Sequence, residues 1–233
     1  MKYVIFHFRT GGFNSYEHSI IEVAAIIEDT KNKLDFETIP KYRTLIYNEI
    51  YKGDPLALYL NRDTLKEIND AIKNNLNTIV HLDMLALDLY TWLSKHIDTH
   101  IDDSNYMQDF NSFGKNYSSE GVIKSNKKPK LLINVGGKNF GTFDLRFLEN
   151  LEGFSTYIKF HQRVIDPAVF YFNNSIDKEL PNLSICKERA GIQNTEIAHR
   201  TIKDAWDIIQ VLRGKMYPKI HENSKDFDFS ILK

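Results

Sequence analysis

The chain of 233 residues is long enough to bury a sizeable core and short enough to be one domain with insertions. Hydrophobic residues at 42% and charged residues at 26% exclude a disordered chain, and no apolar run approaches the length of a membrane span. The 30 Lys and Arg against 31 Asp and Glu give a net charge of -1, which excludes strong global attraction to nucleic acid and leaves that role to local basic segments.

Met1 to Phe8 lacks the long apolar region and small-residue cleavage site of a signal peptide, so a cytoplasmic protein is expected. The single cysteine, Cys186, excludes an intrachain disulfide and a zinc site of several thiolates, and reads as a small buried apolar side chain. Richness in Asn, Lys and Ile suggests an AT-rich genome, such as that of a phage or virus.

Tyr3 to Phe8 and Ile20 to Ile27 read as strands, joined through a turn at Thr10-Gly11-Gly12-Phe13-Asn14. After a polar turn from Glu28 to Lys33, a third strand is expected over Phe36 to Tyr47, with Pro40 at an edge or bulge. Asn61 to Asn75 has helical spacing, with Leu65, Ile68 and Ile72 inward behind a cap at Asn61 or Asp63. A second helix follows from Leu82 to His96, with Leu85, Leu89, Trp92 and Leu93 on one face.

Between His100 and Lys130 the pattern dissolves into a long loop or insertion. Its later part, between Lys115 and Lys130, carries Lys115, Lys124, Lys127, Lys128 and Lys130 against one acid, Glu120. Such a segment can hold phosphates by counterion release, or be a solvated lysine-rich loop. Lys130 to Val135 is the next strand, stopped by Gly136-Gly137, and a helix runs from Phe143 to Leu151. Val164-Ile165-Asp166-Pro167 reads as a strand end before a helical piece at Ala168 to Phe172. Pro181 opens a helix through Ala190, closed by Gly191, with Leu183 and Cys186 inward. The last helix runs from Thr201 to Arg213, where Gly214 and Pro218 stop it. The tail is polar until Phe227, Phe229 and Ile231, which predict a docked end. The expected fold is α/β: a mixed sheet, made of a three-strand antiparallel meander plus parallel strands, flanked by helices. Residues 1–214 form one domain with an insertion at about 100–130, and 215–233 form a tail.

Two motifs bear on function. Gly137-Lys138-Asn139-Phe140-Gly141-Thr142-Phe143-Asp144-Leu145-Arg146-Phe147-Leu148 places Asp144 where a strand hands over to a helix. His199-Arg200-Thr201-Ile202-Lys203-Asp204-Ala205-Trp206 places His199 before a helix and Asp204 in its opening turn. With the strand Tyr3 to Phe8 ahead of them, their order resembles the DEDDh branch of the 3′–5′ exonucleases, which includes oligoribonuclease, ribonuclease T and proofreading exonucleases and has a ribonuclease H-like architecture. Thr10-Gly11-Gly12-Phe13 with Ser19-Ile20-Ile21-Glu22-Val23-Ala24-Ala25 also resembles that family's opening. So do Gly53-Asp54-Pro55-Leu56-Ala57-Leu58 and Leu180-Pro181-Asn182-Leu183.

Two-metal phosphodiester cleavage needs hard oxygen ligands converging on paired Mg²⁺ or Mn²⁺ ions. The resemblance implies that Asp144 and Asp204 are metal ligands, His199 the general base, and Thr10, Gly12 and Phe13 the nucleotide-binding turn. It implies as partner a single-stranded nucleic acid 3′ end or a nucleotide. Where the family carries Asp and Glu two apart on its first strand, this chain carries His7 and Arg9. Side chains two apart share a face of a strand, so both project at the site.

Arg9 has no acceptor atom and repels cations; its guanidinium is expected between Asp144 and Asp204 in place of a metal. His7 either joins His199 and the two acids as a ligand for Mn²⁺ or Zn²⁺, or hydrogen-bonds Asp144 in vacated space. Helix capping accounts singly for Asp144, Asp204 and the Thr201–Asp204 pair, but not for their joint context. Phe13 either stacks on a terminal base or staples the turn. Gly11-Gly12 and Gly136-Gly137 lack the Lys-Ser/Thr of a phosphate-binding loop, and His18, His81, His96 and His100 show no paired metal-ligand spacing.

The favoured reading is a binder of nucleic-acid ends or nucleotides whose two-metal site is degraded, with no cofactor needed. The first alternative is an active Mg²⁺- or Mn²⁺-dependent 3′–5′ exonuclease that recruits Glu17, Glu22 or Asp166. The second is a protein–protein interaction module on the same fold, gripping its partner through the Lys115 to Lys130 loop.

Overall fold

Period-two alternation in the first strand sets the layers of the molecule. A computed structural model describes residues 1–74, 76–101, 130–193 and 201–216. In strand β1 (Lys2–Thr10), Val4, Phe6 and Phe8 join one buried cluster while Tyr3 and Ile5 join another, on the opposite face. A strand buried on both faces reads as a continuous apolar run, which is what Tyr3 to Phe6 is. β1 pairs antiparallel with β2 (Ile20–Asp29), and β2 pairs antiparallel with β3 (Lys41–Tyr47), giving the expected meander.

Further strands extend the sheet. β4 (Ile79–His81) lies parallel to β3, and β6 (Lys130–Gly136) lies parallel to β1. β7 (Ile158–Ile165) follows β6 in parallel along most of its length, so β1 and the two-residue β5 (His100–Ile101) share the other edge of β6. The mixed sheet flanked by helices is thus the architecture expected from the sequence.

Helices cover both faces. α1 (Pro55–Leu60), α2 (Arg62–Lys73) and α3 (Leu85–Leu93) come from the first half of the chain. The second half supplies α4 (Asp144–Glu149), α5 (Phe154–Tyr157), α6 (Pro167–Tyr171), α7 (Leu183–Arg189) and α8 (Thr201–Met216). Leu85, Leu89 and Leu93 of α3 pack with Phe147, Leu148 and Phe154 on the Phe6 face, where Phe6 stacks on Phe140 at 5.9 Å. Ala205, Ile208, Ile209 and Leu212 of α8 pack with Leu183 and Cys186 on the Ile5 face, so the lone cysteine is buried as expected.

Several sequence expectations need correction. The third strand begins after Pro40, whose carbonyl accepts from Ile27 N–H; Phe36 to Thr38 form a turn instead. The helix expected from Asn61 to Asn75 is α2, and a further short helix, α1, precedes it, with Asn61 as their joint. The Asn61 side chain does not cap α2; its Nδ2 donates to the carbonyl of Thr10 and to that of Ala57 in the last turn of α1. The inward face of α2 is Thr64, Ile68 and Ala71, with Ile72 exposed. Leu82–Met84 forms a separate 3₁₀ turn before α3. Asn182, not Pro181, starts α7, its side chain accepting from Ile185 N–H at 3.0 Å. α8 does not stop at Gly214 but runs through it. A side chain there would approach Tyr171 Oη to 2.8 Å, so glycine serves helix packing rather than helix ending. The Lys115 to Lys128 stretch of the insertion and the tail with Phe227, Phe229 and Ile231 lie outside the described residues. Among the described residues, no helix is long and apolar enough to cross a membrane.

One buried ion pair ties α8 to the sheet. Arg213 Nε and Nη2 donate to the two carboxylate oxygens of Glu28 at 2.8 and 2.6 Å, and Nη2 also reaches Leu34 O at 2.7 Å. Glu28 is fully buried, so removing its partner leaves an uncompensated charge in the core. Arg213→Ala is expected to lower unfolding stability by about 3–5 kcal/mol, read as a lower midpoint in urea at an unchanged slope.

Candidate functional site

The site grows from the end of β1. His7 and Arg9 continue the Tyr3, Ile5 series and therefore face α8. Asp204, one turn into α8, is buried, and His7 Nε2 stands 3.5 Å from its Oδ2. The other oxygen, Asp204 Oδ1, is the one buried side-chain nitrogen or oxygen without a hydrogen-bond partner among the described residues. The His7 side chain remains 34% exposed, so the cluster opens to solvent through the imidazole.

Asp144 arrives from the β6–α4 turn. Gly136 lies so close to β7 that a side chain would meet Ile165 O at 2.8 Å, and Asn139 takes a left-handed conformation with φ 61°. Asp166 pins this turn, its Oδ2 accepting from Asn139 N–H at 3.1 Å while its Oδ1 caps α6 at Ala168 N–H. The chain then enters α4 with Asp144 as its first residue, buried. Burial pushes the Asp144 carboxyl up to about 7, against the opposing pull of His7 and of the backbone N–H groups of Asp144 and Phe8.

Arg9 overturns an expectation. It does not sit between Asp144 and Asp204. Its Nε donates to Thr201 Oγ1 at 3.1 Å and lies 3.4 Å from Glu22 Oε2, and its Nη1 donates to Thr64 Oγ1 at 3.1 Å. The physical reason is strand register: Glu22 lies directly across β2 from Arg9, and cross-strand partners share a face. Thr201 donates its hydroxyl to Glu22 Oε2. Arg43 Nε closes on Glu22 Oε1 at 2.5 Å, and its two Nη groups hold Glu67 at 2.9 and 2.8 Å. These bonds hold the Arg43 guanidinium above its ordinary range and the Glu67 carboxyl below its own.

Sequence reasoning missed Thr64, Arg43 and Glu67, and named Thr201 only as a capping residue. The available signal was the meander itself, since pairing its first two strands through the Gly11-Gly12 turn brings Arg9 opposite Glu22.

The turn after β1 is built as a close approach. Thr10 Oγ1 donates to Gly12 O at 2.7 Å, and Gly12, at φ 154°, has no room for a side chain against His18 and Asp54. Phe13 is 86% exposed and meets Phe143 edge-on at 5.8 Å, beside Asp144. Of the acids named for a rebuilt site, Glu17 is exposed, Asp166 caps α6, and Glu22 is committed to two arginines. His18 lies 3.8 Å from Asp54, His81 accepts from Asp83 N–H, and His96 packs on Trp92. His199 and the Lys115 to Lys128 stretch lie outside the described residues, as does any view of the His100 side chain.

The described residues do not by themselves supply the ligands of two divalent cations. Two carboxylates and an imidazole face the opening, a guanidinium stands on the same strand face, and no three His, Cys, Asp or Glu side chains among the described residues group to hold a metal.

No family model matches the sequence, and no curated protein matches it. Solved structures do. E. coli exonuclease I in complex with a 5cy-dT13 oligonucleotide is 11% identical with a TM-score of 0.53, over 94% of this chain and 41% of that one. Exonuclease I from Methylocaldum szegediense is 12% identical with a TM-score of 0.51, again over 94% and 41%. The nuclease domain of 3′hExo, a DEDDh family member bound to rAMP, is 15% identical with a TM-score of 0.51, over 92% of this chain and 90% of that one. The chain thus spans 41% of the length of these exonuclease I structures. The likeness establishes the fold: the ribonuclease H-like mixed sheet of 3′–5′ exonucleases.

The raised Asp144 pKa has a definite sign. The folded state binds this proton more tightly than the unfolded state, so the contribution to stability is fully present below about 4 and is lost as pH rises to about 7. The loss amounts to up to about 4 kcal/mol. Asp144→Asn is expected to flatten the fall in unfolding free energy between pH 4 and pH 7, measured by urea titration across that range in chelator.

Proposed function

We propose that the chain binds the 3′ end of a single strand, or a nucleotide, in the opening bounded by Thr10, Gly12, Phe13, His7, Asp144 and Asp204, with phosphodiester cleavage weak or lost. The reading takes residues 1–214 as one exonuclease-like unit and places it in the cytoplasm. Its support is the fold, shared with an exonuclease I that holds an oligonucleotide and a 3′hExo that holds rAMP. The observation that carries the loss of cleavage is Arg9, whose permanent charge lies within the Glu22–Thr201 cluster on the same strand face as His7. His7 and Arg9 stand where the resemblance calls for an acidic pair, and Asp144, Asp204 and His199 remain as the counterparts of the other functional groups. Transition-state stabilisation by metal-held charge is lost with the ligands, and a few kcal/mol for each ligand amounts to several orders of magnitude in rate.

The unpartnered Oδ1 of Asp204 favours a second reading, an active exonuclease whose site is completed by Mg²⁺ or Mn²⁺. One pair of assays separates the two. Fluorescence anisotropy with end-labelled single strands of RNA and DNA is expected to show binding that weakens with salt. The same sample, incubated with Mg²⁺ or Mn²⁺, is expected to release no mononucleotides above the background of Asp144→Ala. Release that Asp144→Ala abolishes would establish the second reading instead.

A further inference from the structure

The charged groups around the end of β1 divide into two halves with opposite properties. The Asp144, Asp204 and His7 half is open through the imidazole and keeps an unpartnered oxygen. The Arg9 half is internally paired, with Arg43 and Glu67 at its solvent edge. Two guanidinium groups, Arg9 and Arg43, face two carboxylates, Glu22 and Glu67, so its four formal charges cancel. Two hydroxyls complete the network: Thr64 Oγ1 accepts from Arg9, and Thr201 Oγ1 accepts from Arg9 while donating to Glu22. Glu22, Thr64 and Thr201 are all buried, and the Arg9 side chain is 15% exposed.

Cutting centres of the two-cation kind gather carboxylates that repel one another until metal arrives, so their order depends on divalent ions. The Arg9 half has no such dependence, because its counter-charge is covalently part of β1. We infer that Arg9 is a tethered counter-ion standing in for a divalent cation. The docking of α8 and α2 on the sheet then requires no metal. Resting on the binding reading above, neither does capture of a nucleic-acid end. Removing the Arg9 side chain would leave a hole lined by the Glu22 carboxylate and the Thr64 and Thr201 hydroxyls. Those are all oxygens, suited to a hard cation or to free guanidinium.

The test is thermal unfolding of the full chain and of Arg9→Ala, each in EDTA, in millimolar Mg²⁺ or Mn²⁺, and in millimolar guanidinium chloride. The wild-type midpoint is expected to be the same in all of them. Arg9→Ala is expected to melt lower in EDTA and to recover part of the loss with Mn²⁺ or guanidinium. Should Arg9→Ala not fold, the paired change Arg9→Met with Glu22→Gln removes both charges, and its midpoint is expected to ignore every cation. A wild-type midpoint that rises with Mn²⁺ and falls with EDTA would overturn the inference, as would an Arg9→Ala midpoint that neither cation moves. Anisotropy with a labelled single strand supplies the second arm. Equal affinity in EDTA and in Mg²⁺ supports the inference, and a loss of tenfold or more in EDTA overturns it. No binding in either condition counts against the binding reading, while the unfolding data still decide the role of Arg9.

Discussion

A guanidinium keeps its charge at every pH a protein meets, so an arginine folded against a sheet has to be answered by a carboxylate. Arg9 is answered by Glu22, and the order of the functional end of the molecule follows from that pair. Glu22 takes Arg9 and Thr201 on one oxygen and Arg43 on the other, which brings β1, β2, β3 and the start of α8 to one point. Thr64, donated to by Arg9, adds α2. A pair of this kind contributes little net stability once desolvation is counted, but it leaves few alternatives in register. Slipping β1 against β2 by one residue would turn Arg9 to the opposite, apolar face, among Phe6 and Phe8.

The same logic repeats at the far end of α8. Glu28 lies six residues beyond Glu22 on β2, an even separation that keeps both on one face. Their partners Thr201 and Arg213 lie twelve residues apart on α8. Twelve helical residues rise about 18 Å, and six strand residues about 20 Å. The helix is therefore fastened along β2 at two points whose spacings match, with Ala205, Ile208, Ile209 and Leu212 filling the interval against the sheet. Asp204, three residues on from Thr201, shares its face and is carried to His7 by this fastening.

How much of this could be read beforehand depended on the range of the interaction. The meander was legible because β1 and β2 are apolar runs around an evident glycine turn, and the helix starts before Asp144 and Asp204 because each follows an abrupt change of pattern. β4, β5 and much of β7 were not legible, being short or carrying exposed polar residues such as His161, Gln162 and Arg163 at a sheet margin. Gly214 was misread because a glycine admitted for a neighbour's close approach has the same local signature as one that ends a helix. For the site, strand alternation made legible that His7 and Arg9 share the face of β1 on which α8 packs. Which carboxylate Arg9 would choose was not legible, since Glu22 is distant in the motif order and near only through register.

The unequal halves of the site also bear on what it can hold. Asp144 and Asp204 are placed by backbone geometry and by the fastening of α8, and His7 interacts with both. Carboxylates offer acceptors, and Asp204 Oδ1 offers one that nothing among the described residues satisfies. Phosphate oxygens are repelled by the ionised form of such a surface, which Asp144 adopts as pH rises through about 7, whereas hydroxyl and amino groups are donors it can accept. Under the binding reading, the sugar or base of a terminal nucleotide faces the two acids, and its phosphate is left to backbone N–H groups or to basic side chains elsewhere. Cleavage would demand the reverse orientation, a phosphate held at the acids by intervening positive charge. The charge that could have played that part is bound to Glu22.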